Sequence, residues 1–302
     1  MLDFDAYLMV DWSARNQPKT GKDTVWYCFV KRTGYNLRCI RLANPNTRAE
    51  AVTEIREILS ESVGRHEATL VGFDFPYGYP HGFASALGLK DRRTPEWHQV
   101  WRVLDGMVKD NEKNMSNRFD VAAELNKRIS GSNYPFWGCP KRFECKTLSR
   151  GKPASRFPTE LPVKRLTEER DHRTQPVWKL AYPGSVGSQA LLGIPYLYKL
   201  RYDKALAQYS KVWPFETGLR HPDPLRKRKW LVLHAEIFPT ISEVRPRKGE
   251  VKDAAQVRAL AYHFARLDES GALSALFVSP DDLGDEDRHI VEGEEGWILG
   301  IQ

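Results

Sequence analysis

Length, composition and charge place this chain among globular proteins and exclude several other classes. Its 302 residues are 41% hydrophobic and 28% charged, which supplies enough apolar material for a large core and argues against a disordered chain. A formal net charge of +7 is compatible with a polyanionic partner without requiring one. Four scattered cysteines are too few for a disulfide framework, and no apolar stretch is long enough to cross a bilayer. The acidic start lacks the features of a signal peptide, so the sequence predicts a cytoplasmic protein.

The first 75 residues predict a sheet in which two buried strands end on an aspartate. Residues 7–10 form an apolar run that ends at Asp11, and residues 68–73 form another that ends at Asp74. Between these runs the pattern predicts two strands and a helix, at residues 24–31, 35–42 and 47–63. The predicted order is strand, strand, strand, helix, strand, with the first three strands as a meander.

The pattern changes at residue 76, where Pro, Gly, Tyr and Trp become frequent. Helices are predicted at residues 95–107 and 118–129, whereas residues 130–187 show little periodicity. Because a structureless loop of that length is improbable in a compact domain, we interpret residues 76–187 as a helical and partly irregular insertion that covers the functional site. Residues 182–189 at its end favour a plain Gly/Ser connector, with a phosphate loop before a helix N-terminus as the alternative.

The last third predicts one more strand and two helices. Residues 187–206 are helical in part, with an expected interruption at Gly193-Ile194-Pro195. Residues 230–238 form a strong strand that carries Glu236, and residues 252–267 form an amphipathic helix with Asp253 in its first turn. The fold class is therefore α/β, a mixed five-stranded sheet flanked by helices. Residues 1–75 and 188–302 would form its core.

Four carboxylates lie where an active site would need them. Strand ends in an open α/β sheet point into a shared crevice, and carboxylates are suitable ligands for Mg²⁺ or Mn²⁺. Such ions activate water and stabilise the leaving oxygen of a phosphodiester. Each acid alone also has a structural explanation, as a turn former, a strand end or a favourable charge at a helix start. Two apolar strands that both end on aspartate favour the functional interpretation. The candidate catalytic and metal-binding residues are Asp11, Asp74, Glu236 and Asp253.

Four short motifs in this order resemble the DUF429-type predicted nucleases of the RNase H-like superfamily. They are Val10-Asp11-Trp12-Ser13, Gly72-Phe73-Asp74-Phe75-Pro76-Tyr77-Gly78, Ala235-Glu236-Ile237-Phe238-Pro239 and Lys252-Asp253-Ala254-Ala255. The resemblance implies an RNase H-like sheet and metal-dependent phosphodiester hydrolysis, with the same four acids as metal ligands. The chain departs from the family at Val257, where a second acid of the last helix is expected.

Basic residues near these motifs predict contacts with nucleic acid. A run of cations precedes the Glu236 strand, and one more stands beside Asp253. A solvated basic face explains them equally well. The expected substrate-binding residues are Arg226, Lys227, Arg228, Lys229 and Lys252.

Two other functions stay open at this point. The missing acid at Val257 favours a non-catalytic module that binds nucleic acid or protein, and such binding would persist without metal. An actin-like phosphotransferase is the other alternative, although no Gly-rich phosphate loop follows Asp11. The sequence does not determine the oligomeric state.

Overall fold

A computed structural model describes residues 3–34, 36–153, 160–222 and 229–302. Its strands follow the apolar runs of the sequence, and all belong to one mixed sheet. The strands are Ala6–Asp11 (β1), Trp26–Thr33 (β2), Asn36–Ala43 (β3), Thr69–Phe73 (β4), Ser210–Val212 (β5) and Val232–Glu236 (β6).

The helices begin close to the positions that the sequence predicts. In the first of them, the side chain of Thr47 accepts a hydrogen bond from the backbone N–H of Glu50, as an N-cap does. The helices are Arg48–Gly64 (α1), Phe83–Ala86 (α2), Glu96–Met107 (α3), Arg118–Ser130 (α4), Leu166–Glu169 (α5), Gly187–Arg201 (α6), Lys252–Ser270 (α7) and Asp285–Ile290 (α8). Short 3₁₀ turns and one π turn, Val291–Glu295, complete the described elements. No helix in these ranges has both the length and the apolar character that a membrane crossing requires.

The strand order of the sheet is β3-β2-β1-β4-β6-β5. Strand β2 is antiparallel to both β1 and β3, whereas β4 runs parallel to β1 and β6 runs parallel to β4. The predicted α/β class with a mixed sheet is confirmed, but the sheet has six strands rather than five. The additional strand β5 has three residues, too few to show a periodic pattern. The RNase H-like assignment stays a prediction.

Both faces of the sheet are covered. Leu8 and Val10 of β1 belong to the core on one face, together with Ile55 of α1. The alternate residues Tyr7 and Met9 belong to the core on the other face, which α7 covers. Helices α3 and α4 from the predicted insertion contribute to the first of these cores. The division of the chain into a core and an insertion at residues 76–187 stays a prediction.

Helix α6 runs without a break through Gly193-Ile194-Pro195, so the expected interruption is wrong. Proline inside a helix removes one hydrogen bond and is unfavourable by about 3 kcal/mol. Here α6 is buried on nearly every side, and tertiary packing stabilises it. Gly193 allows the ring of Phe75 to approach closely, because a Cβ at this position would lie 2.4 Å from a ring carbon. The first turn of this buried helix lies near the edge of the sheet that is described next.

Candidate functional site

Three of the four predicted acids converge at one edge of the sheet. Asp11 is the last residue of β1, and Asp74 directly follows β4. These strands are parallel neighbours in which Val10 pairs with Phe73, so β1 and β4 end side by side. Asp253, the second residue of α7, interacts electrostatically with both carboxylates. Segments far apart in sequence therefore bring three negative charges to a single place.

The connection between β1 and β2 folds over these acids and orients two of them. The backbone N–H of Trp12 donates to Oδ1 of Asp74 at 2.7 Å. The backbone N–H of Asp23 donates to Oδ2 of Asp253, also at 2.7 Å. Asp23 adds a further acidic side chain to the cavity, and sequence reasoning missed it. Its position was inferable, because a strand antiparallel to β1 must begin beside the end of β1.

Asp11 and Asp74 interact directly with each other, and the pKa values of both carboxyl groups are raised. Burial, followed by the charges of Asp74 and Asp253, raises the pKa of Asp11 well above its usual range. Burial also raises the pKa of Asp74 to about 7, although the N–H of Trp12 and the bond to Asp11 oppose that rise. Like charges at short range cannot both ionise without a counter-ion. The pair therefore favours a protonated form, and a bound cation would favour the ionised form of both carboxylates.

No lysine or arginine of the described ranges forms a salt bridge with Asp11, Asp74 or Asp253. Three aspartates offer the hard oxygen donors that Mg²⁺ and Mn²⁺ prefer. In the described part of the chain, however, no three His, Cys, Asp or Glu side chains already stand in the arrangement of a metal site. The donor chemistry thus fits a divalent cation, while the side chains are arranged for a shared proton. The expected cofactor, Mg²⁺ or Mn²⁺, stays a prediction.

Glu236 reaches the same edge of the sheet but takes part in a different network. Its two carboxylate oxygens accept hydrogen bonds from Nη2 and Nη1 of Arg165, at 2.6 and 2.7 Å. The backbone N–H of Tyr77 donates to one of these oxygens at 2.9 Å. Arg165 is fully buried and also binds Glu168. Because Arg165 neutralises it, Glu236 has no need of a cation, and the geometry gives no support to its predicted role as a metal ligand.

His234 lies two residues before Glu236 on β6 and is completely buried. Burial lowers the pKa of His234 to about 3, so the imidazole is neutral at physiological pH. Neither ring nitrogen has a hydrogen-bond partner within the described ranges. His234 is not among the residues that line the aspartate cavity.

Asp11, Asp23 and Asp253 line a cavity of about 450 Å³, whereas Asp74 lines a separate pocket with Arg165 and Glu236. Another wall of the cavity is the segment that leads into α6 and the start of that helix, including Gly184, Ser185 and Ser188. The side chain of Gln189 ties this wall to β1 by donating to the carbonyl oxygen of Trp12 at 2.5 Å. The segment 182–189, for which a plain connector was the favoured interpretation, therefore lines the same cavity as Asp11 and Asp253.

The expected substrate-binding cations are not gathered around this cavity in the part of the chain that the structure describes. Arg226, Lys227 and Arg228 lie outside the described residues. Lys229 and Lys252 are exposed, and neither lines the cavity. The cation that does line it is Arg118, the first residue of α4. The sequence signalled Arg118 only as the start of a predicted helix.

No protein-family model, curated protein or solved structure matches this chain. The resemblance to DUF429-type nucleases accordingly stays a prediction. The function has to follow from the geometry and charge of the cavity.

Proposed function

We propose that this protein hydrolyses phosphodiester bonds of nucleic acid with a divalent cation, Mg²⁺ or Mn²⁺, bound by Asp11, Asp74 and Asp253. The observation that carries the proposal is the clustering of three interacting carboxylates, two of which line the cavity, where no basic side chain of the described ranges forms a salt bridge with them. Burying like charges is unfavourable unless an opposite charge completes the site. The protein supplies such a charge to Glu236 through Arg165, and a bound cation would supply it to the aspartates.

The cation, when bound, supplies Lewis acidity and an activated water for attack on phosphorus. The protein prepares its ligands in three ways. The Asp11–Asp74 pair releases its shared proton, so both side chains become anionic donors. The N–H of Trp12 fixes Asp74, and the N–H of Asp23 fixes Asp253. These backbone bonds hold the carboxylates in place, as partners of metal ligands commonly do.

The test is cleavage of labelled single-stranded DNA and RNA oligonucleotides by the full-length protein. Cleavage should require Mg²⁺ or Mn²⁺ and stop with EDTA. Asp11→Asn removes one anionic donor, so it should lower the cleavage rate by about 100-fold and weaken Mn²⁺ binding in calorimetry. Asp281→Asn, an exposed acid elsewhere on the surface, is the matched control and should leave both measurements unchanged. Metal-independent cleavage, or equal rates for wild type and Asp11→Asn, would contradict the proposal.

A non-catalytic module that binds nucleic acid is the second candidate. Two observations favour it: the acids do not stand ready as a metal site in the described ranges, and the buried Val257 occupies the place of a second acid on α7. On this alternative the protein should bind the same oligonucleotides in EDTA, and Asp11→Asn should bind them as tightly as wild type. Absence of cleavage with any divalent cation, combined with such binding, would select this function.

A further inference from the structure

Arg118 is a buried cation that forms no salt bridge within the described residues, although Asp110 acts on it electrostatically at longer range. Its side chain is 8% exposed and lines the aspartate cavity. Nε donates to Oγ of Ser188 at 3.0 Å, and Nη1 donates to Oγ of Ser116 at 2.9 Å and to the amide oxygen of Asn16. All three acceptors are neutral, and no carboxylate in the described residues forms a salt bridge with Arg118. A buried charge with only neutral partners is unfavourable, which indicates that an anion completes the site.

A neighbouring arginine shows what a satisfied buried guanidinium looks like in this protein. Arg48 is fully buried and binds both oxygens of Asp110, at 2.6 and 2.8 Å. Burial, followed by the positive charge of Arg48, lowers the pKa of Arg118 to about 10. Arg118 therefore remains cationic at neutral pH while lacking the counter-charge that Arg48 has. Its Nη2 makes no hydrogen bond to any described residue and is open to the cavity.

The N-terminus of α6 presents further donors at the same cavity. The helix has 15 residues, and its N-cap residue, Val186, makes no side-chain capping bond. The backbone N–H groups of Ser188 and Gln189 have no acceptor within the described ranges. Free N–H groups and the positive end of the helix dipole together favour an anion. Ser188 is also the residue that holds Nε of Arg118, so guanidinium and helix start are structurally linked.

We infer that Arg118 and the first turn of α6 bind a phosphate group of the substrate in the cavity that Asp11 and Asp253 also line. This inference rests on the proposed function and names the substrate class of that site as a phosphate ester. A guanidinium presents its donors in a plane that matches two phosphate oxygens, and the α6 N–H groups supply donors from a second direction. The cavity of about 450 Å³ has the size of a small-ligand site. Arg118 would thus bind the phosphate group of the substrate directly and would not be a ligand of the cation.

The test measures phosphate binding separately from metal binding. Isothermal titration calorimetry on the full-length protein in EDTA uses inorganic phosphate, a nucleoside 5′-monophosphate and a short single-stranded oligonucleotide without terminal phosphates. All three should bind wild type, and Arg118→Met should weaken each by about tenfold, because a charged hydrogen-bond donor is lost. In a separate titration without EDTA, the Kd for Mn²⁺ should differ by less than twofold between wild type and Arg118→Met. Binding of the first two probes alone would assign the cavity to terminal phosphates, and binding of the oligonucleotide would assign it to the backbone.

Two variants serve as controls for Arg118→Met. Arg128→Met removes an exposed arginine of the same helix, which pairs with Glu124, and should leave phosphate binding unchanged. Arg118→Lys keeps the charge without the planar donor group and should show intermediate affinity. If Arg118→Met does not fold, phosphate binding by wild type and a weaker affinity in Arg118→Lys decide the question, and equal affinity in these two proteins would overturn the inference.

The outcomes separate this inference from the proposed function. Equal phosphate affinity in wild type and Arg118→Met, or no binding by wild type at millimolar phosphate, would overturn the inference while metal-dependent cleavage could still stand. Phosphate binding that depends on Arg118 in a protein that never cleaves would support the inference and overturn the proposed nuclease activity.

Discussion

Two groups of acids lie at the same edge of the sheet, and the protein treats them differently. Glu236 and Glu168 are buried around Arg165, which donates hydrogen bonds to both and brings a positive charge to them. Asp11 and Asp74 share a proton instead, and no described cation pairs with them. The first group has a counter-charge within the chain, whereas the second has no paired cation among the described residues. Acidic residues in similar sequence positions thus have separate roles, which their counter-charges reveal.

The largest effect should come from removing the counter-charge of the complete group. Arg165→Met leaves Glu236 and Glu168 buried without a cationic partner, so it should lower the free energy of unfolding by about 3–5 kcal/mol. Urea denaturation followed by circular dichroism measures this. The exposed Arg128→Met should change it by less than about 0.5 kcal/mol. A small loss in Arg165→Met would mean that the two groups of acids are energetically alike and would remove the contrast.

The incomplete group should make stability depend on pH. The folded Asp11–Asp74 pair binds its proton more tightly than the unfolded chain does, since burial raises both pKa values. Its contribution is therefore fully present below the unfolded pKa of about 4 and is lost as pH rises towards the folded pKa of Asp74, about 7. The loss is about 1.4 kcal/mol per unit of pKa difference.

Urea denaturation at a series of pH values, compared between wild type and Asp11→Asn, measures this contribution. The wild-type curve should fall more steeply with rising pH, and Mn²⁺ should restore stability mainly at mildly alkaline pH, where the proton has been released. Parallel curves for the two proteins would show that the pair does not hold a shared proton.

The smallest effect should come from neutralising the acid that is already paired. Glu236→Gln should leave the Kd for Mn²⁺ within about twofold of wild type, because Glu236 is bound to Arg165 and is not a donor to the cation. Asp74→Asn in the same calorimetric titration should weaken Mn²⁺ binding by about tenfold or more. Equal weakening by both substitutions would return Glu236 to the set of metal ligands that the sequence suggested.

The sequence alone determined most of the sheet and named the three converging acids. Apolar runs that fill both faces of a strand predict β1 and β4, and each run visibly stops at Asp11 or Asp74. The cap at Thr47 and the amphipathic pattern of α7 likewise predict their helices. These features are local, because strand and helix periodicity are set by neighbouring residues.

Only the tertiary structure decided which charges meet. The pairing of Arg165 with Glu236 joins residues 71 positions apart, and Arg118 reaches Ser188 across 70 positions. No local pattern encodes such contacts, since they depend on how the segments pack around the sheet. For the same reason the sequence placed Glu236 with the aspartates and gave Arg118 no role. The identity of a residue fixes its charge, but the packing of the chain fixes whether that charge is satisfied from within or from outside.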